Sequence, residues 1–167
     1  MRPLVVEAKE PELLHQARPL SSIAPFPTSR KLLESSRTIF NYVVCDNEFE
    51  LAFARFLDQA PDVAAFAKLP ETFGFYIAYT DTRSNLRHYY PDFIVRQPDG
   101  THWVVETKGR EDIDVARKDE AARAWCQRAT ELTEVQWKYL KVMQTEFERM
   151  QPDDFEDLLA NSPGLFD

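Results

Sequence analysis

Between residues 73 and 108 apolar side chains recur at every second position, and on either side of that stretch they recur at intervals of three and four. Phe73, Phe75, Ile77 and Tyr79 alternate with smaller residues, "HYYPDFIV" and "THWVVETK" follow, and the polar runs "TRSNLR" and "RQPDG" separate the three. Period two with Pro-Asp-Gly turn chemistry predicts strands in an antiparallel meander. Upstream, "DNEFELAFARFLDQA" places Phe49, Phe53, Phe56 and Leu57 at helical spacing behind the N-cap candidates Asp46 and Asn47, with Pro61 just past the end. "RTIFNYVV" before it is a candidate strand. Downstream, "DIDVARKDEAARAWCQRATEL" reads as a helix, and "TEVQWKYLKVMQTEFERM" as a further helix or strand. The order helix, strands, helix predicts an α/β domain whose mixed central sheet is flanked by helices.

Three segments follow from this pattern. Residues 1–36 carry five prolines and no sustained period, as an irregular arm or a connection to something upstream would. Residues 37–150 hold the periodic elements, and 151–167 an acidic tail opening on Pro152 and "DDFED".

Composition narrows the class. With 167 residues, 44% apolar positions and 12 Phe, the chain has material for one substantial core. A net charge of −8 argues against a generic polyanion binder, although local patches steer binding more than the sum does. Cys45 and Cys126 form no CxxC and read as two reduced, buried thiols. No run approaches the roughly 18 apolar residues of a membrane span, and the N-terminal text has acids and prolines where a signal peptide is apolar, so a cytosolic location is expected.

The chemistry lies in charges that interrupt the strands. Alternation puts His102, Val104, Glu106 and Lys108 on one face and Trp103, Val105 and Thr107 on the other. Glu106 and Lys108 thus project together, roughly 7 Å apart along the strand. Asp92 lies about seven residues before the Asp99–Gly100 turn and Glu106 six after it, so pairing brings them together. A structural salt bridge is one solution for such a cluster. A divalent metal site is the other: two carboxylates and a backbone carbonyl (that of Thr107 stands between Glu106 and Lys108) suit Mg²⁺, and Lys108 would orient the attacking water.

On a helical wheel Glu50 borders the apolar arc, whereas Glu48 falls on the opposite side with Arg55. Lys118 is the one charged member of the stripe Val115, Lys118, Ala122, Trp125, Ala129 and Leu132. It either snorkels off the edge or aims at the acidic cluster or a phosphate. Arg83, Arg87, His88, Arg110, Arg117 and Lys118 are basic residues in the loops and the helix near this predicted cluster.

Pro91-Asp92, thirteen residues, then Glu106-Thr107-Lys108 resembles the PD-(D/E)xK nuclease signature. The wider text, "NEFELAFARFLD", "VAAFAKLPETFGFYIAY", "YYPDFIVRQPDG", "ETKG" and "AARAWC", most resembles the C-terminal endonuclease domain of type III restriction enzyme Res subunits over residues 36 to 140. That resemblance implies a restriction-endonuclease-like αβ core that hydrolyses DNA, double-stranded by expectation, with Mg²⁺ or Mn²⁺ in its place. By motif position Asp92, Glu106 and Glu50 would serve the metal, and Lys108 the water, while Arg83, Arg87, His88, Arg110, Arg117 and Lys118 would be the candidate contacts to the DNA backbone, which position a duplex without reading it. Expected partners are a helicase/ATPase module and a methyltransferase subunit, with a homodimer as one route to double-strand cutting. No Walker A motif is present, so the chain reads as an excised domain or a standalone nuclease. A noncatalytic assembly module and a transposition endonuclease are the rival readings.

Overall fold

Four strands form the central sheet of the computed structural model, which describes residues 19–109 and 115–162. In chain order the elements are β1 (Lys31–Leu33), β2 (Val43–Cys45), α1 (Glu48–Gln59), β3 (Ala65–Lys68), β4 (Ile77–Thr80), β5 (Leu86–Tyr89), β6 (Phe93–Arg96), β7 (His102–Lys108), α2 (Val115–Thr133), β8 (Trp137–Met143), α3 (Gln144–Met150) and α4 (Phe155–Asn161), with single 3₁₀ turns at Leu20–Ser22 and Glu71–Phe73. The central sheet runs β3-β6-β7-β8. Its first two pairings are antiparallel and β7 with β8 is parallel, so the sheet is mixed, with helices on both faces.

The expected three-strand meander divides in two. Pro91 has no N–H to give a ladder and fixes its own φ, so "HYYPDFIV" breaks there into β5 and β6. β5 pairs with β4 as a separate ribbon, and β6 pairs with β7 on one side and with β3 on the other. Phe73 belongs to a 3₁₀ turn closed by Gly74 at φ 77, not to a strand. The "RQPDG" turn forms as expected: Gly100 takes φ 92, and the Asp99 carboxylate accepts the Thr101 N–H at 2.8 Å. "TEVQWKYLKVMQTEFERM" supplies both β8 and α3. From "RTIFNYVV" only Val43 and Val44 enter a strand, β2, and within the expected arm β1 pairs with it.

Two apolar layers hold the sheet. Phe53, Leu57, Phe93, Val95, Trp103, Val105, Leu140 and Val142 pack beneath α1 on one face. Val104, Tyr139, Ala122 and Cys126 pack beneath α2 on the other, together with Ile77 and Tyr89 from the ribbon. The expected alternation along β7 is therefore present. Within the segment expected as an acidic tail, Phe155–Asn161 forms α4, and Phe155 and Leu158 are fully buried in the first layer. Asp62 anchors that helix by accepting the N–H groups of Phe155 at 2.9 Å and Glu156 at 2.7 Å. α1 starts where Asn47 accepts the Glu50 N–H at 2.8 Å, a cap worth about 1 kcal/mol. Cys45 and Cys126 are free and buried, and burial pushes their thiols up to about 11 and about 12. Among the described residues no helix is long and apolar enough to cross a membrane.

Candidate active site

The β6–β7 register pairs Phe93 with Val105, and one further step sets Asp92 opposite Glu106 at the end of the sheet. Asp92 is fixed there by Thr107, whose N–H and hydroxyl donate to its Oδ2 at 2.8 and 2.7 Å. Glu106 is only 5% exposed. Burial, and then the negative charge of Asp92, raise its carboxyl above the ordinary glutamate value, and Lys118 offsets part of the rise. Two carboxylates that repel each other in a partly dry site are a place where added positive charge is stabilising.

On the α2 side, Lys118 reaches across to Glu106 in a close ion pair, and its ammonium lies 4.3 Å from the centre of the Tyr89 ring. Of the two readings of Lys118, aiming at the acidic cluster is the one the structure shows. The next residue, Asp119, accepts the Tyr139 hydroxyl at 2.8 Å and Lys141 Nζ at 2.7 Å, so adjacent residues of α2 grip β7 and β8. The Tyr89 hydroxyl is buried with no hydrogen-bond partner of normal geometry, and burial and Glu106 hold its phenol protonated far above the usual range.

On the other side, Lys68 ends β3 and is nearly enclosed. Its Nζ lies 2.5 Å from Glu50 Oε2, 3.2 Å from Asp46 Oδ2 and 3.8 Å from Asp92 Oδ1. At an effective dielectric of about 20, unit charges ~3.8 Å apart interact by about 4 kcal/mol, so this ammonium acts strongly on Asp92. Burial pulls the Lys68 pKa down, but Asp92, Glu50 and Asp46 outweigh it and the net direction is up. Glu50 looks inward and is 5% exposed, as the helical wheel indicated, while Glu48 is exposed and pairs with Lys31. Glu50 is heavily engaged: Oε2 also accepts the Asp46 N–H at 2.7 Å, and Oε1 accepts from Asn47 Nδ2 at 3.1 Å.

Lys108, at the end of β7, is half-buried and joins no ion pair among the described residues. The other basic candidates lie in different settings. Arg87 is tied to Asp81 at 2.9 Å, and Arg83 is exposed in the same turn. His88 stacks on Tyr76 at 4.0 Å between ring centres, and Arg117 is exposed on α2. Arg110 lies outside the described residues.

Sequence reasoning missed Lys68, Tyr89 and the Asp119 network. Lys68 had a signal: it ends the short apolar run "AFAK" as a charge at a strand end, the pattern that exposed Glu106 and Lys108. Four residues are too few for alternation to show.

Among the described residues no three His, Cys, Asp or Glu side chains are close enough together to enclose a metal ion. Mg²⁺ in general takes one or two carboxylates and completes its shell with water and substrate phosphate. Asp92 and Glu106 are the two carboxylates at this sheet end that could serve in that way. A family model described as an endonuclease domain matches residues 36–146 of this chain. No curated protein and no solved structure matches it.

Proposed function

The chain belongs to the endonuclease-domain family, and from that premise we propose that it is a Mg²⁺-dependent nuclease cutting double-stranded DNA, with Asp92, Glu106 and Lys108 at its centre. The observation that carries this reading is the meeting of Asp92 and Glu106 at one sheet end, just past the Phe93–Val105 pair, beside a lysine held by no carboxylate among the described residues. A structural salt bridge would spend Lys108 on Asp92 or Glu106. Here Lys118 and Lys68 meet the two carboxylates instead, and among the described residues no carboxylate engages Lys108.

When bound, Mg²⁺ would supply positive charge against the scissile phosphate and acidify the attacking water. The chain's own residues do the rest. Thr107 clamps Asp92 so that its outer oxygen keeps one direction, and rigid placement of a charged donor is what preorganised catalysis needs. Glu106 is buried and raised, so a cation that neutralises it is favoured over open water. Lys108 holds the water nucleophile in line, as a donor that carries no competing ion pair among the described residues. Lys118, placed on Glu106, orients the carboxylate and joins α2 to the site.

The finer assignment is to a type III-like restriction system, working in the cytoplasm with a helicase/ATPase module and a methyltransferase subunit. Its support is the textual resemblance over residues 36 to 140. Two cuts in a duplex need two such centres, which a homodimer would provide. The test is cleavage of supercoiled plasmid with Mg²⁺, Mn²⁺ or EDTA. Nicked or linear product is expected with either metal and none with EDTA, and Asp92→Asn, Glu106→Gln and Lys108→Met should each lower the rate at least ~100-fold at a temperature where its melting curve shows the variant folded. Undiminished cutting by Asp92→Asn rejects the assignment. No cutting under any condition, with no metal bound, favours a noncatalytic module.

A further inference from the structure

We infer that Lys68 is a built-in counter-cation of the divalent site, and that Glu50 acts through Lys68 as a positioning residue and not as a metal ligand. The inference rests on the metal-dependent reading above. It concerns what sets the affinity of the Asp92–Glu106 pair for its cation.

Three observations carry it. Glu50 has both carboxylate oxygens occupied: Oε2 by Lys68 at 2.5 Å and the Asp46 N–H at 2.7 Å, Oε1 by Asn47 at 3.1 Å. A carboxylate so engaged gives up protein hydrogen bonds if it turns to a metal, and its turn of α1 is capped by the same residues. Next, the Lys68 side chain is 9% exposed, so its ammonium has no bulk water to retreat into and must sit among these acids. Finally, its distances are graded: closest to Glu50, then Asp46 at 3.2 Å, and Asp92 last at 3.8 Å. Glu50 and Asp46 therefore draw the ammonium away from Asp92. Lys68 still repels any second cation that Asp92 would hold, because like charges in a poorly screened site interact strongly.

Opposite consequences follow for the two members of the pair. Without Lys68, Asp92 loses a competing positive charge and holds a divalent ion more tightly. Without the charge of Glu50, Lys68 is released toward Asp92 and the divalent ion binds less tightly. With Lys68 already gone, Glu50 has nothing to act through, and the double-mutant cycle should show it.

The experiment is Mn²⁺ titration calorimetry on the full chain without DNA, for wild type, Lys68→Met, Glu50→Gln and the double variant. Expected are affinity about tenfold tighter for Lys68→Met, about tenfold weaker for Glu50→Gln, and a change below about twofold when Glu50→Gln is added to Lys68→Met. An equal loss from Glu50→Gln in both backgrounds makes Glu50 a ligand and overturns the inference, as does weaker binding by Lys68→Met. Melting curves in EDTA check that each variant folds. If Lys68→Met does not, Lys68→Gln with Glu50→Gln removes both charges together and must bind Mn²⁺ at least as tightly as wild type; weaker binding again overturns it. A wild-type chain that binds no Mn²⁺ sinks the metal reading itself, whereas wild-type binding that Lys68→Met leaves unchanged sinks only this inference.

Discussion

Replacing Lys118 by Met isolates the electrostatics of the site from its chemistry. The methionine keeps most of the stem that crosses Tyr89 and deletes the ammonium. What remains is Glu106, with a side chain 7% exposed, still facing the negative charge of Asp92. Breaking a buried ion pair by removing one partner costs about 3–5 kcal/mol, because the survivor is left charged and unhydrated. Loss of the cation over the Tyr89 ring adds ~0.5–2 kcal/mol. For a chain of this size each kcal/mol lowers the midpoint by about 2–4 °C, so the ion-pair part alone predicts a drop of about 6–20 °C at neutral pH.

The sign with pH separates this mechanism from simple loss of packing. Burial and Asp92 already raise the Glu106 pKa, and removing Lys118 removes an influence that lowers it. The folded variant then binds the Glu106 proton more tightly than the unfolded chain does. Its stability therefore rises as pH falls through the interval between the unfolded and folded values. The deficit against wild type should shrink on acidification, and Glu106→Gln in the same chain should recover most of it at neutral pH. The assay is urea unfolding followed by tryptophan fluorescence, from pH 5 to pH 8 in EDTA. A deficit that is the same across that range, or that Glu106→Gln does not relieve, refutes the buried-pair account.

Two further outcomes follow from the same geometry. Since a metal donor must be deprotonated and Glu106 is raised by burial and Asp92, Mn²⁺ binding and plasmid cleavage should both fall on acidification at a pH above the ordinary glutamate value; a limb at or below that value contradicts the raised carboxyl. Phe155→Ala should cost about 3–5 kcal/mol in urea unfolding, as for a filled core position, and a loss under ~1 kcal/mol would show that α4 is an appendage after all.

Much of the site was legible locally. The turn count from Asp99–Gly100 places Asp92 against Glu106, because a short turn of defined chemistry transmits register directly along two strands. The two faces of β7 and the burial of Glu50 but not Glu48 follow from periods of 2 and 3.6, which every residue in an element obeys. Membership of α4 in the core was not legible: Phe155 and Leu158 are two apolar residues among acids, and only Asp62, far along the chain, shows where they dock. Likewise β3 is four residues long, and its place beside β6 depends on Pro91 having turned β5 away. Lys68 reaches Glu50, Asp46 and Asp92 only through that pairing. Periodicity and turn chemistry are properties of neighbouring residues and can be read from the sequence by itself. Which strand lies beside which, and therefore which cation answers which carboxylate, is a contest among distant segments that packing decides.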